Sequence, residues 1–250
     1  LNGGTMGGSG VTTMQLAGNS EVNGGTLIAD DVRFSSAISG TAINIIGGAS
    51  YTQYLQGQDL TVAGDLYLGS TSSTDNSETL NIGNLVTSNG SAYFDSGTVV
   101  SSGDSITNNS IWQFNDGEIQ GGNAAITNNG FINGGFRVTT DQSFNNNGGI
   151  NVEAQTLYLN VATGSNNYGS IESNTGGQIQ INVAELKNYG QISLGGAIVA
   201  GSGTFENSYG GLLTGSGVVL SDMENYGIIT PNSGALYFAN AFANYGNIAV

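Results

Sequence analysis

Carboxylates are almost the only side chains in this sequence that could do acid–base chemistry. The chain has 18 Asp and Glu residues and no His or Cys, which excludes a Ser-His-Asp triad, a thiol nucleophile and a zinc–thiolate site. Paired carboxylates can still cleave glycosidic bonds. The candidates are the adjacent pair Asp30-Asp31, and Asp116 with Glu118, which strand alternation would place on one face. We interpret both as solvated positions, and we predict a protein without catalytic residues that is not an enzyme.

The charge balance narrows the choice of partner. Only Arg33, Arg137 and Lys187 are basic, and the formal net charge is −15. Nucleic acids and anionic membrane surfaces are bound by clustered Lys and Arg, so neither is expected as a partner. No segment approaches the roughly 18 apolar residues of a membrane span, so no membrane insertion is predicted.

Cofactor sites are not indicated by any motif. The glycine-rich calcium nonapeptide and the Walker and Rossmann patterns are absent from the sequence. We therefore predict no cofactor-binding residues and no metal site. The surplus of carboxylates still allows loose binding of divalent cations at the surface.

A short motif recurs along residues 106–250. It reads Asn, then Asn or Tyr, then Gly, any residue, and Ile or Leu, as in Asn188-Tyr-Gly-Gln-Ile192 and Asn225-Tyr-Gly-Ile-Ile229. Its glycines recur at intervals of about 20 residues, a period that is typical of solenoids and too short for propeller blades of about 40 residues. The motif glycines are Gly130, Gly148, Gly169, Gly190, Gly210, Gly227 and Gly246.

Apolar pairs with period two follow each motif, such as Phe136 with Val138 and Val218 with Leu220. That period indicates short strands with one face turned inward. Gly and Asn are poor helix formers but suit tight turns with positive φ. The sequence therefore predicts an all-β fold, a single parallel β-solenoid (β-helix) of about twelve coils of about 20 residues.

The repeat varies in regularity along the chain. We predict one continuous solenoid over residues 1–250, with irregular coils in 1–105 and regular Asn-x-Gly-x-Ile coils in 106–250. In the irregular part, Asn2-Gly-Gly-Thr-Met6 matches Asn23-Gly-Gly-Thr-Leu27, one repeat period later. The polar run at residues 70–78 is interpreted as a loop that projects from one coil.

Stacked coils would align equivalent residues into columns one strand spacing apart. The predicted buried apolar column is Ile132, Ile150, Ile171, Ile192, Leu212, Ile229 and Ile248. The predicted ladder of hydrogen-bonded side-chain amides is Asn128, Asn146, Asn167, Asn188, Asn225 and Asn244. A stack of Tyr168, Tyr189, Tyr209, Tyr226 and Tyr245 would lie beside it. These rings either pack the corner or form a platform for sugar rings and other flat ligands.

The repeats at Asn188–Ile192 and Asn225–Ile229 resemble those of bacterial surface β-helix proteins, namely filamentous-haemagglutinin-type adhesins and autotransporter passenger domains. The resemblance implies a secreted, extracellular or cell-surface protein with a role in adhesion, biofilm or coat building. We expect as partners a host or matrix surface, a carbohydrate, or further copies of the chain stacked head to tail or laterally.

Two further alternatives stay open from the sequence. A polysaccharide-binding or -degrading β-helix, of the lyase or phage tailspike type, would show a cleft rimmed by carboxylates or by Arg and Lys. The sparse ionisable residues favour the structural or adhesive protein instead.

The last repeat, Phe242 to Val250, carries the full motif and then stops. We expect either an excerpt of a longer solenoid or a subunit whose open ends stack.

Overall fold

The computed structural model describes residues 3–7, 13–16, 20–28, 31–34, 38–47, 53–70, 78–94, 99–114 and 116–249. Every regular element in these ranges is a β-strand. None of them forms a helix that could cross a membrane. The chain divides into two compact units, Leu1–Ala124 and Ala125–Val250. The loop predicted near residues 70–78 falls mainly on 71–77, which lie outside the described residues.

The first unit is built from parallel strands of three to eighteen residues. The predicted match between the two Asn-Gly-Gly-Thr segments is confirmed, because Met6 pairs with Leu27. Each strand pairs in parallel with a strand from the next coil, so the chain returns to the same sheet once per coil. Its strands are β1 (Thr5–Gly7), β2 (Thr13–Leu16), β3 (Ser20–Ile28), β4 (Asp31–Phe34), β5 (Ile38–Gly47), β6 (Gln53–Ser70), β7 (Glu78–Phe94), β8 (Val99–Phe114) and β9 (Gly117–Gly122).

The second unit has shorter strands of more regular length. They are β10 (Ala125–Asn128), β11 (Phe131–Asn133), β12 (Phe136–Thr140), β13 (Phe144–Asn146), β14 (Gly149–Glu153), β15 (Thr156–Val161), β16 (Ser165–Asn167), β17 (Ser170–Asn174), β18 (Gln178–Val183), β19 (Glu185–Asn188), β20 (Gln191–Ala200), β21 (Thr204–Asn207), β22 (Leu212–Val219), β23 (Met223–Asn225), β24 (Ile228–Phe238), β25 (Phe242–Asn244) and β26 (Asn247–Ile248).

The first six coils of the second unit contribute three strand segments each, and the coil of β25 and β26 contributes two. The first strands are β10, β13, β16, β19, β21, β23 and β25, each paired in parallel with the next. In the first coil of this unit, the second strand is β11 and the third strand is β12. In the coils of β20, β22 and β24, one long strand supplies the second and the third segment. Paired residues are separated by one coil, about 20 residues as in other solenoids of short repeat. The predicted parallel β-solenoid is thus confirmed, with about seven coils in this unit.

The second strands carry the main apolar column. Ile132, Ile150, Ile171, Ile192 and Ile229 are at most 1% exposed, and they pair in register along the unit. Leu212 does not belong to this column. Leu213 takes its place, fully buried and paired with Ile192 and Ile229. Ile248 pairs with Ile229 but is 43% exposed.

A two-residue insertion explains the displaced leucine. Asn207 pairs with Asn188, and Leu213 pairs with Ile192, so the segment between Asn207 and Leu213 is longer than its counterpart in the preceding coil. The corner therefore holds two extra residues. The motif glycine in this coil is Gly211 and not Gly210. The Gly211 carbonyl accepts the Ile228 N–H at 2.9 Å. In the preceding coil the Gly190 carbonyl accepts the Leu212 N–H at 2.8 Å in the same way.

A register shift also changes the third strands. Val219 is the buried residue, whereas the predicted inward pair Val218 and Leu220 points outward, with Leu220 38% exposed. Val219 pairs with Val199, and the pairing skips one residue between Gly195 and Ala197. An irregularity of this kind inverts the alternation for the rest of a strand, because the side-chain period is two.

The asparagines form a continuous ladder within the unit. Each Nδ2 donates a hydrogen bond of 2.7–2.8 Å to the Oδ1 of the asparagine in the next coil. Its second N–H donates at 3.0–3.2 Å to a main-chain carbonyl of that coil, as in Asn167 to Gln191. Asn207 belongs to the ladder, although the insertion hides it from the sequence motif.

The backbone turns beside each asparagine in a way that requires glycine. The carbonyl of Asn167 accepts the N–H of Tyr189 at 2.8 Å and that of Gly190 at 2.9 Å. These two hydrogen bonds to one carbonyl draw successive corners together. A Cβ on Gly190 would collide with the carbonyl oxygen of Gly169. Gly190 does not have a positive φ. The motif glycine therefore serves close packing between coils, where the sequence had indicated a left-handed turn.

We expect Asn167→Leu to destabilise the chain by more than about 3 kcal/mol, since unpaired buried polar groups cost about 1–3 kcal/mol each. The change would remove the partner of the Asn146 side-chain N–H, of the Asn188 side-chain carbonyl and of the Gln191 main-chain carbonyl. Urea denaturation followed by circular dichroism measures the loss. The matched control is Asn166→Leu, which removes one half-exposed hydrogen bond to Asn145. Equal destabilisation by both variants would contradict this account of the ladder.

Candidate functional site

An outer row of tyrosines follows the asparagine ladder. Each of Tyr168, Tyr189, Tyr226 and Tyr245 comes directly after a ladder asparagine, so alternation turns its ring outward. The exposed fractions of Tyr168, Tyr189, Tyr209 and Tyr245 range from 38% to 77%, and Tyr226 is half-buried. The row is therefore a surface feature, which answers the question of orientation that the sequence left open.

The rings of this row stack in two groups. Tyr168 and Tyr189 are parallel within 9°, with centroids 5.1 Å apart. Tyr226 lies 5.0 Å from Tyr245 at 14°, and 5.5 Å from Tyr209 at 39°. The insertion separates the groups, because buried Ser208 takes the backbone position after Asn207 and displaces Tyr209 by one residue.

The same row begins with amides in place of rings. Asn147 donates to Asn129 at 2.8 Å on the exposed side of the corner. In the neighbouring outward row of the first strands, Asn166 donates to Asn145 at 2.9 Å. The early coils of this face are thus neutral and polar, whereas the later coils are aromatic and charged.

Charged residues line the first strands beside the tyrosines. Lys187, Glu206, Glu224 and Ala243 pair in register from coil to coil, each one position before a ladder asparagine. Lys187 Nζ lies 3.2 Å from Glu185 Oε1 and 3.6 Å from Glu206 Oε2. The hydrogen bond to Glu185 and the charge of Glu206 raise the pKa of the lysine above its ordinary value. These residues were not selected from the sequence, although their offset from the motif asparagine would have revealed their shared face.

One tyrosine hydroxyl is tied to this row. Tyr226 donates to Glu224 Oε2 at 3.0 Å. The bond and the nearby negative charge raise the pKa of the Tyr226 phenol. Ser208 likewise donates to the Glu206 carboxylate. Both carboxylates are oriented by neighbours, so the face presents ordered negative charge next to ordered rings.

The carboxylates considered for catalysis belong to the first unit. Asp116 is exposed at a turn with φ of 63°, and Glu118 is half-buried in β9. Asp30 and the side chain of Asp31 lie outside the described residues. Within the described part of the chain, no group of three or more acidic residues is arranged to hold a metal ion.

The third strands carry a separate aromatic contact. The guanidinium of Arg137 lies 4.4 Å from the centroid of the Tyr158 ring, in the cation–π geometry. The two residues pair in register between β12 and β15. The second unit thus presents aromatic rings that can stack on a ligand or contact a cation. Most of these groups lie in the row of tyrosines with its flanking carboxylates.

Comparison with known proteins assigns no family. No protein-family model, curated protein or solved structure matches the chain.

We expect the Tyr226 phenol to ionise above the usual pKa of about 10, because the Glu224 carboxylate accepts a hydrogen bond from its hydroxyl and repels the phenolate. The hydrogen bond from Tyr226 to Glu224 is present below the ordinary pKa of the phenol, and it is lost as pH rises through the raised pKa. Absorbance titration at alkaline pH, taken as the difference between the chain and Tyr226→Phe, isolates this group. Glu224→Gln should shift the titration back toward the ordinary value, and an unchanged titration would contradict the assignment.

Proposed function

We propose that this chain is an extracellular structural or adhesive surface protein that binds through a flat solenoid face. The observation that carries the proposal is the outer row of tyrosines, exposed and stacked on a rigid ladder. An exposed aromatic row of this kind is typical of an interaction surface.

The ladder supports adhesion because it orders the rings before any partner arrives. Binding normally costs side-chain ordering of about 0.5–1.5 kcal/mol per residue. Here five of the six ladder carbonyls from Asn128 to Asn225 accept two successive N–H groups, and the Asn188 carbonyl accepts the Ser208 N–H. The rings already stack at 5.0–5.1 Å. A matrix or host surface, or a carbohydrate with flat apolar ring faces, fits this platform.

The cell-surface setting of the proposal comes from the resemblance of the repeats to adhesins and autotransporter passengers. A parallel β-solenoid fits that resemblance but occurs with many functions, so the site and not the fold carries the argument.

Polysaccharide binding is the second candidate function, and the same tyrosine row favours it. Cleavage would in addition need paired carboxylates beside the bound sugar. Beside the tyrosine row, Glu206 is engaged by Lys187 and Ser208, and Glu224 is engaged by Tyr226. We keep the proposal of a protein that binds without turnover.

We expect Tyr168→Ser combined with Tyr189→Ser to weaken retention on a binding surface about tenfold, since aromatic contacts contribute roughly 0.5–1.5 kcal/mol each. The assay is surface plasmon resonance of the purified chain over a panel of immobilised polysaccharides and matrix proteins. Tyr237→Ser is the matched control, because Tyr237 is 64% exposed on a third strand. Equal weakening by the control, or no retention of the unmodified chain on any surface, would contradict the proposal.

We also propose that the coils continue through the whole chain, about twelve in all, and that copies assemble head to tail or laterally into fibres or a coat. The coil at residues 242–249 presents the asparagine, tyrosine and isoleucine positions of the earlier coils. A second copy could stack on such a coil by parallel strand pairing, which as a heterologous contact generates filaments.

Electron microscopy of the 250-residue chain tests this assembly. We expect fibres one solenoid wide at micromolar concentration, and we expect Ile248→Lys to shorten them by placing a charge on the stacking surface. Short dispersed rods that persist in high salt would contradict head-to-tail assembly.

A further inference from the structure

A recess opens beside the first strands β21, β23 and β25, in three successive coils. It encloses about 290 Å³ and is lined by Thr204, Asp222, Met223, Glu224, Ala241, Phe242 and Ala243. The recess exists because the outward positions change from carboxylates in β23 and the residue before it to alanines in β25 and the residue before it. Two carboxylates, Asp222 and Glu224, therefore stand beside a floor of small side chains.

Both carboxylates are held in place. Asp222 Oδ1 accepts the main-chain N–H of Ala241 at 3.3 Å, and Glu224 accepts the Tyr226 hydroxyl at 3.0 Å. They are two positions apart on one strand face, so both point outward. The recess thus has negative charge at defined positions, and Tyr226, which bonds to Glu224, stacks on Tyr245.

The same face already binds one ammonium group. Lys187 occupies the outward row two coils before Glu224 and is held between Glu185 and Glu206. Ala243 occupies the equivalent row position at the recess, next to Glu224 in register. Lys187 thus supplies the cation between Glu185 and Glu206, whereas the small side chain of Ala243 leaves room for an external cation beside Glu224.

We propose that this recess binds a lysine or arginine side chain of a basic polypeptide segment, with the ammonium or guanidinium group between Asp222 and Glu224 and its alkyl stem against the rings of Tyr226 and Tyr245. The inference rests on the proposed function, because it assigns a partner class to the same outer face.

Charge complementarity selects this partner. The outer face from residue 185 onward carries Glu185, Glu206, Asp222 and Glu224 against the single Lys187, and the whole chain has a net charge of −15. A basic segment gains ion pairs with oriented carboxylates and cation–π contacts with the rings. An extended segment running along the face can place further cations near Glu206.

The test is isothermal titration of an oligolysine peptide into the full chain, at low salt and at about 0.5 M salt. We expect saturable binding that weakens with salt. Asp222→Asn combined with Glu224→Gln should weaken it about tenfold. Ala243→Lys should weaken it by a similar factor, because the new amine would occupy the recess as Lys187 occupies its own position. Glu172→Gln is the charge control, since Glu172 is exposed on a second strand, and it should change binding less than twofold.

Thermal unfolding of each variant checks that the solenoid is intact, and Ala243→Lys should melt no lower than the unmodified chain. Equal weakening by Glu172→Gln, unchanged binding in Ala243→Lys, or no saturable binding of oligolysine would overturn the inference. Retention on polysaccharide or matrix surfaces without oligolysine binding would defeat this inference alone. Oligolysine binding without surface retention would defeat only the adhesive function.

Discussion

The hydrogen bonding of a buried side-chain amide is the constraint on which the second unit depends. Within this unit, six of the seven ladder asparagines, from Asn128 to Asn225, are at most 1% exposed, and a buried amide without partners would be costly. Each amide bonds to the equivalent asparagine of the neighbouring coil and to a main-chain carbonyl of that coil, as at Asn146 and Asn167. All the side-chain bonds run in one direction, so each polarises the next. The coils must therefore stack in one register at this corner.

The corner geometry follows from the ladder. Once an asparagine carbonyl accepts two successive N–H groups, the next coil approaches too closely for any residue but glycine. The residue between asparagine and glycine is then directed outward, and the isoleucine after glycine inward. The two extra residues are accommodated because Tyr209 and Gly210 are exposed at the surface, while Asn207 and Leu213 keep their pairing on either side.

The outer face changes character along the unit, while the asparagine ladder and the apolar column of the second strands keep nearly the same residue types. Amides in the early coils give way to tyrosines and carboxylates in the later ones, although the backbone beneath them is the same. Core positions are restricted by packing at native density, whereas outward positions are free to vary. Function in such a repeat is therefore expected where the outward rows depart from uniformity, as they do between Lys187 and Ala243. The proposals of adhesion and of cation binding both concern this stretch.

The sequence by itself determined the repeat period, the strand class and the inward or outward direction of most motif residues. Ile192 is buried and Gln191 exposed, as alternation requires, because the side-chain period within a strand is local information. The tertiary structure decided what depends on pairing between residues one coil apart. It placed Leu213 instead of Leu212 in the core, Val219 instead of Val218 and Leu220, and Asn207 in the ladder. It also brought Lys187 to Glu206 and turned the tyrosines outward. An insertion or bulge shifts every later partner, and only the stacked backbone shows where that shift is absorbed.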